Sequence, residues 1–231
     1  MLYRFVLLYS LALIFVACSP SSEIPSTDLL AVQQWTEQAQ LAMQDGEAEK
    51  ADSLLMLAVE SLESIYDKDS TSSSLPNKLG ELNYQLRNFN SSVAWYARAI
   101  QQDSTNMTAT YQLARGAVQI GEIKLAQIMF QQAISLDESD TLSRRVVQEL
   151  KLIGEETYGH GNQLYAKGDT QSGNTYRIFG VSLLMTAFDL DSTRQDLAQR
   201  IVDYCYEIGD KESADQYSRW TFSQESVVGS E

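Results

Sequence analysis

Histidine is almost missing from this chain of 231 residues: His160, in Gly159-His160-Gly161, is the only one. A zinc centre takes three or four nitrogen, sulfur or oxygen ligands, and a histidine-based triad would have to use this residue. Alone, His160 reads as a surface or turn residue at a loose helix junction. No Gly-x-Ser-x-Gly elbow, Walker-type phosphate loop or double-glycine nucleotide fingerprint occurs. Carboxylate pairs such as Glu155-Glu156 fall on helix faces that water solvates. The chain is therefore expected not to be an enzyme, with no catalytic, cofactor-binding or metal-binding residue, no cofactor and no small-molecule substrate.

Proline and positive charge are also scarce. Pro20, Pro25 and Pro76 are the three prolines, so no residue after Pro76 breaks a helix in that way. Alanine, leucine, glutamine and glutamate dominate that stretch, which predicts an all-α fold. Seventeen lysines and arginines face 31 aspartates and glutamates, for a net charge of −14. Such a chain repels phosphate backbones, so no nucleic-acid partner is expected.

No apolar run reaches the roughly 20 residues that span a bilayer. The one at the start, Phe5 to Val16, is broken only by Tyr9 and Ser10 and follows Arg4. It has the length of a signal-peptide core, which places residues 1–17 in a signal peptide. Its end, Leu13-Ile14-Phe15-Val16-Ala17-Cys18, resembles the lipobox of bacterial lipoproteins, although Phe15 stands where that family usually has leucine. The resemblance implies lipidation of Cys18, and Ser19 after it is the family's pattern for outer-membrane delivery. Residues 18–27 would be the lipidated cysteine and a flexible tether. Cys205 is then left alone, without a disulfide partner, and is expected to be a small buried apolar residue.

The rest of the chain repeats. Leu79-Gly80 matches Leu113-Ala114, Tyr96 matches Phe130, Ala99-Ile100 matches Ala133-Ile134, and Asp103 matches Asp137, all at 34 residues. Small residues at these places let two helices cross closely, and the aromatic fills the gap between neighbours. The same template fits Trp35, Ala39, Ala42, Gly46, Ala51, Leu55 and Ala58 upstream, and Ile201, Gly209 and Ala214 downstream. A poorer copy carries Gly161, Leu164 and Gly168, with an overlong second helix from Ser172 to Leu190 that contains Gly173 and Gly180. Arg87 stands where a turn glycine is usual. Thr141 to Ile153 is read as an amphipathic helix bridging two repeats, Asp67 to Ser74 as a loop, and 222–231 as a mobile tail.

On these residues the chain resembles the tetratricopeptide-repeat superfamily over 28–221. The resemblance implies an all-α, right-handed helical solenoid of about five helix-turn-helix units. The units are expected near 32–65, 73–106, 107–140, 154–194 (irregular) and 195–221. It also implies a concave face lined by the second, fifth, ninth and twelfth residues of each first helix. Those positions are Gln33, Thr36, Gln40 and Met43; Ser74, Asn77, Glu81 and Tyr84; and Thr108, Tyr111, Arg115 and Val118. The last two units add Glu155, Tyr158, Asn162 and Tyr165, then Asp196, Gln199, Asp203 and Tyr206. Tyr84, Tyr111, Arg115, Tyr158, Tyr165 and Tyr206 are the expected partner-binding groove, because tyrosine offers a large contact area with few torsions to freeze.

The function implied is that of a membrane-anchored scaffold or adaptor of the bacterial cell envelope that binds a protein or peptide segment. The alternative is a structural part of an envelope assembly complex, of the outer-membrane-protein assembly or pilus/secretin type, without a peptide groove.

Overall fold

The structure is a computed structural model that describes residues 26–72, 74–137 and 141–221; the expected signal peptide, Cys18 and the tail after 221 lie outside the described residues. Ten helices and no strand occur among the described residues. They pair as five antiparallel hairpins: α1 (Ser26–Gln44) with α2 (Ala48–Lys68), α3 (Ser74–Gln85) with α4 (Phe89–Gln102), and α5 (Met107–Gln119) with α6 (Ile123–Ser135). These are followed by α7 (Thr141–Ala166) with α8 (Thr170–Leu190), and α9 (Gln195–Ile208) with α10 (Lys211–Thr221). The closest packing is within each hairpin, and each hairpin otherwise touches its neighbours in sequence. The chain is a helical solenoid.

One turn recurs inside all five hairpins. Gly46, Arg87, Gly121, Gly168 and Gly209 have φ between 59° and 94°. Each donates its N–H to the carbonyl three residues back, and the next residue donates to the carbonyl five back, as in Gly121 to Val118 and Glu122 to Ala117. This Schellman arrangement satisfies orphan carbonyls at the helix end and needs the left-handed conformation that glycine adopts freely. Arg87 holds the same conformation without being glycine.

A second turn joins one hairpin to the next. Asp69, Asp103 and Asp191 each open an Asp-Ser-Thr triplet, and the carboxylate accepts from the N–H and the hydroxyl of the threonine. In Asp69 and Asp103 these bonds hold the carboxyl below its usual range. The triplet is legible in the sequence, but only the match of Asp103 to Asp137 draws attention to it there.

Small residues sit at the crossings, as the repeat template requires. Ala39, Ala51, Ala58, Ala114, Ala126 and Ala133 are buried. A Cβ on Gly80 would lie 2.9 Å from the ring of Tyr96, and the Ser92 hydroxyl donates to the Gly80 carbonyl at 2.8 Å.

The fourth unit departs from expectation. It does not begin at 154 after a bridging helix: 141–153 and 154–166 are one continuous helix of 26 residues, about 39 Å long at 1.5 Å per residue. Thr141 lies one 34-residue period after Met107, so 141–153 is itself the first helix of the repeat, prolonged past the usual turn. Gly173 and Gly180 are the reason the prolonged pair packs. A Cβ on Gly180 would meet the Gly154 carbonyl at 2.6 Å, and one on Gly161 would meet the Gly173 carbonyl at 2.7 Å. The backbones of α7 and α8 thus touch at two levels, seven residues apart on each helix. His160 lies inside α7, edge-on to the Tyr176 ring at 4.9 Å, and not in a junction.

This long helix serves both neighbours. Its first half lies along α5, through Glu149. From Lys151 onward it lies along α9, where Lys151 pairs with Asp196, Glu155 with Arg200, and Tyr158 with Tyr204. The fifth hairpin is therefore displaced along the α7 axis relative to the first three.

Candidate functional site

Concave positions of the first three hairpins line an open cavity of about 690 Å³. Gln33 and Thr36 come from α1, Ser74, Asn77 and Glu81 from α3, and Thr108 from α5, all at expected groove places. Its apolar side is Leu29, Val32, Leu62, Leu75 and Tyr96, and Lys78 and Gln112 complete the polar side. The burial of Val32, Leu62 and Leu75 follows from the hairpin packing that closes the wall behind them. The Asn77 Oδ1 is buried here and accepts no hydrogen bond among the described residues. Leu62, from a second helix, and Tyr96, the inter-repeat aromatic, are lining residues that the groove pattern misses.

None of the six expected groove residues lines this cavity. Tyr84, Tyr111 and Arg115 come together next to it, but as parts of a joint. Glu149 on α7 accepts from the Tyr111 hydroxyl at 2.6 Å and from Arg115 Nε at 2.7 Å. The Arg115 guanidinium also lies 5.1 Å from the Tyr84 ring centre, and that of Arg145 lies 5.0 Å from the Tyr111 ring centre. Burial and the Glu149 carboxylate push the Tyr111 phenol up to about 12. The chain's own carboxylate thus fills the aromatic and cationic pair. Glu149 is 34 residues after Arg115 and takes the ninth place of a repeat beginning at Thr141. With 154 as the start, that correspondence is invisible.

Tyr158 is not a groove residue. It is 1 % exposed, stacked on Tyr204 with centres 3.6 Å apart, and its hydroxyl donates to Glu207 at 2.8 Å. Burial pushes its phenol up to about 12. Arg177, 8 % exposed, donates to the Tyr158 hydroxyl and to the Glu207 carbonyl. This network ties α7, α8 and α9 together. Counting concave positions from 154 instead of 141 puts Tyr158 on the surface; the period from Met107 gives the concave places to Leu142, Arg145, Glu149 and Leu152, of which Leu142 is itself buried.

Tyr165 and Tyr206 are on the surface, 45 % and 54 % exposed. Tyr165 lies against Arg177, and Tyr206 donates a long bond of 3.3 Å to Asp215. Neither is joined to the cavity or to the Tyr111 cluster. Cys205 is fully buried, and burial raises its thiol to about 11, which keeps it protonated and unreactive near neutral pH. No group of three or more metal-ligating side chains occurs among the described residues. No helix among them is long and apolar enough to cross a membrane.

No family model matches the chain, and no curated protein matches it. Solved structures resemble it loosely. A crystal structure of MamA is 15 % identical over 83 % of this chain and 90 % of that one, with a TM-score of 0.41. MamA 41-end from Desulfovibrio magneticus RS-1 is 14 % identical, over 87 % and 98 %, with a TM-score of 0.42. YrrB, described as a TPR protein with an unusual peptide-binding site, is 16 % identical over 84 % of this chain and 90 % of that one, with a TM-score of 0.39. Likeness of this degree transfers no site or partner to this chain.

Proposed function

We propose that this chain is a non-catalytic scaffold of the bacterial envelope, anchored by lipid on Cys18, that holds a segment of a partner protein on the concave face of its first three hairpins. The observation that carries this reading is the cavity of about 690 Å³, lined in order by first-helix residues of three successive hairpins. Pockets of this size, apolar with a few placed polar groups, are the usual form of a recognition site. The anchor rests on the apolar run ending at Val16-Ala17-Cys18, and Ser19 favours the outer membrane, facing the periplasm. Two or more acyl chains on one cysteine make such an anchor stable. The partner-binding role moves from the tyrosines to the cavity, because Glu149 already engages Tyr111 and Arg115.

A photo-crosslinking side chain placed at Thr108 in living cells should yield one discrete adduct, whereas the same group at Tyr206 should not. Thr36→Trp, which fills the cavity, should remove that adduct. Adducts from Tyr206 alone would favour the second reading, a structural envelope component that meets partners through its outer faces. That reading is supported by the closed joint at Glu149. Fractionation tests the anchor separately: Cys18→Ser should leave the membrane fraction or remain uncleaved, and unchanged processing with membrane retention would remove the lipoprotein part of the proposal.

A further inference from the structure

The cavity's lining says what kind of segment it accepts, an inference that rests on the scaffold reading. The geometry points to an extended partner segment that alternates apolar and cationic side chains. The cavity crosses three first helices, and helices pack about 8–10 Å apart, so about six extended residues span it. Leu29, Val32, Leu62, Leu75 and Tyr96 form one apolar side, which takes the large apolar side chains of every second residue. Asn77 Oδ1 is buried in the cavity wall without a hydrogen-bond donor. A buried acceptor left so is costly, and a turn of the Asn77 side chain toward the cavity would bring it within reach of an incoming backbone N–H.

Charge selects the remaining residues. Glu81 lines the cavity, Glu37 accepts from the lining residue Gln33, and Asp28 precedes the lining residue Leu29; Lys78 is the single cation in the lining and is paired with Glu81 at 2.9 Å. The hairpin behind the first wall is strongly acidic. Between 26 and 72 there are ten carboxylates and two lysines, against four carboxylates and five lysines or arginines between 74 and 137. The lining itself is balanced, Lys78 against Glu81, so the bias comes from the acidic first hairpin around it, which favours lysine or arginine over glutamate in whatever docks. Neither a small apolar molecule nor an acidic tail has this combination of features.

Fluorescence anisotropy with the purified full chain tests this, using three capped octapeptides in which leucine alternates with lysine, leucine with glutamate, and serine with lysine. The leucine–lysine peptide should bind about tenfold more tightly than either of the others. Asn77→Ala should weaken it about fivefold, the loss of one hydrogen bond. Glu37→Gln with Glu81→Gln, both exposed positions, should narrow the gap between lysine and glutamate peptides to about threefold or less. Thr36→Trp, with an unchanged melting curve, should abolish binding of the leucine–lysine peptide. Equal or tighter binding of the leucine–glutamate peptide overturns the cationic preference and leaves the groove reading standing. Binding that survives Thr36→Trp is attraction to the acidic surface at large and overturns the inference. If no peptide binds the wild-type chain, both the inference and the groove reading fall.

Discussion

Between α3 and α4 a single glycine receives an aromatic ring, Gly80 against Tyr96; between α7 and α8 two glycines receive two glycines, at Gly154–Gly180 and Gly161–Gly173. The first arrangement leaves the second and third hairpins with 12 to 14 residues per helix and ordinary spacing, and the concave face is open over these two and the first. The second brings backbones into contact and lets the pair grow to 26 and 21 residues. Elongation then displaces the fifth hairpin, and α7 closes the concave face at Glu149. The two regions differ in function for this reason: the open half has room for a partner, while the closed half spends its polar groups on itself.

The largest effect should come from breaking the backbone contact. Gly180→Leu would place its Cβ within 2.6 Å of the Gly154 carbonyl and 2.8 Å of the Tyr158 nitrogen, and backbone cannot swing aside. Overpacking costs about 1–3 kcal/mol or more, and this site belongs at the upper end. Urea unfolding should show it, with hydrogen exchange localising the loss to α7–α10. Gly159→Ala, where nothing lies within 4 Å, should instead stabilise the helix by about 0.5–1 kcal/mol. Equal effects at the two positions would mean that α7 and α8 do not touch through their glycines.

Opening the joint should cost less. Glu149→Ala removes the acceptor of Tyr111 and Arg115, whose side chains are less than one-third exposed on both sides of the ion pair. A loss of about 1–2 kcal/mol is expected, discounted for the remaining solvent contact. Protection of 141–153 against hydrogen exchange should fall while that of α1 to α4 is unchanged. The apolar core that α5 and α6 share with α7, including Val118, Phe130, Leu142, Val146 and Leu150, remains in this variant, so the joint should loosen and not come apart. A double change of Tyr111→Ala with Arg115→Ala should do the same, and should leave peptide binding to the cavity intact.

Alkaline pH probes the same boundary more gently. Tyr111, Tyr158 and Tyr217 have phenols raised to about 12, chiefly by burial, and only Tyr96 in the first two hairpins is raised as well. The unfolded chain releases these protons near pH 10, before the folded one does. Stability is therefore full below about pH 10 and falls as pH rises from there toward 12. Circular dichroism melts at pH 8, 10 and 11 should show a small drop across the first interval and a larger one across the second. Tyr111→Phe should reduce that drop.

Most of the solenoid could be read from the sequence because its rules are local. Gly46, Gly121 and Gly209 mark turns, Ala126, Phe130 and Ala133 mark a crossing, and 34-residue spacing ties two copies together. The continuity of α7 could not be read so. Gly154-Glu155 is the same dipeptide as the true turns Gly46-Glu47 and Gly121-Glu122. The difference is tertiary: the turn glycines have open space around them, whereas Gly154 is pressed against Gly180. Without that contact, a groove register counted from 154 carries Tyr158 from the core to the surface. The cavity was half legible, since its polar lining falls on concave positions while Leu62 and Tyr96 enter from packing that no first-helix pattern contains.

The smallest expected effect concerns Arg87, the one turn in which the first half breaks its own rule. Its φ of 59° is left-handed, and the N–H groups of Arg87 and Asn88 make the same two bonds as the glycine turns do. A left-handed conformation costs a residue with a Cβ about 1 kcal/mol relative to glycine, whose freedom in the unfolded chain offsets part of the gain. Arg87→Gly should thus stabilise the chain by about 0.5 kcal/mol, whereas Gly121→Ala, the reverse change one repeat later, should destabilise it by about 1 kcal/mol. Both side chains would point into open solvent, so packing does not confuse the comparison. Matched melts of the two variants decide the matter: if Arg87→Gly lowers the midpoint, the Arg87 side chain supports the α3–α4 turn in a way its exposed position does not reveal.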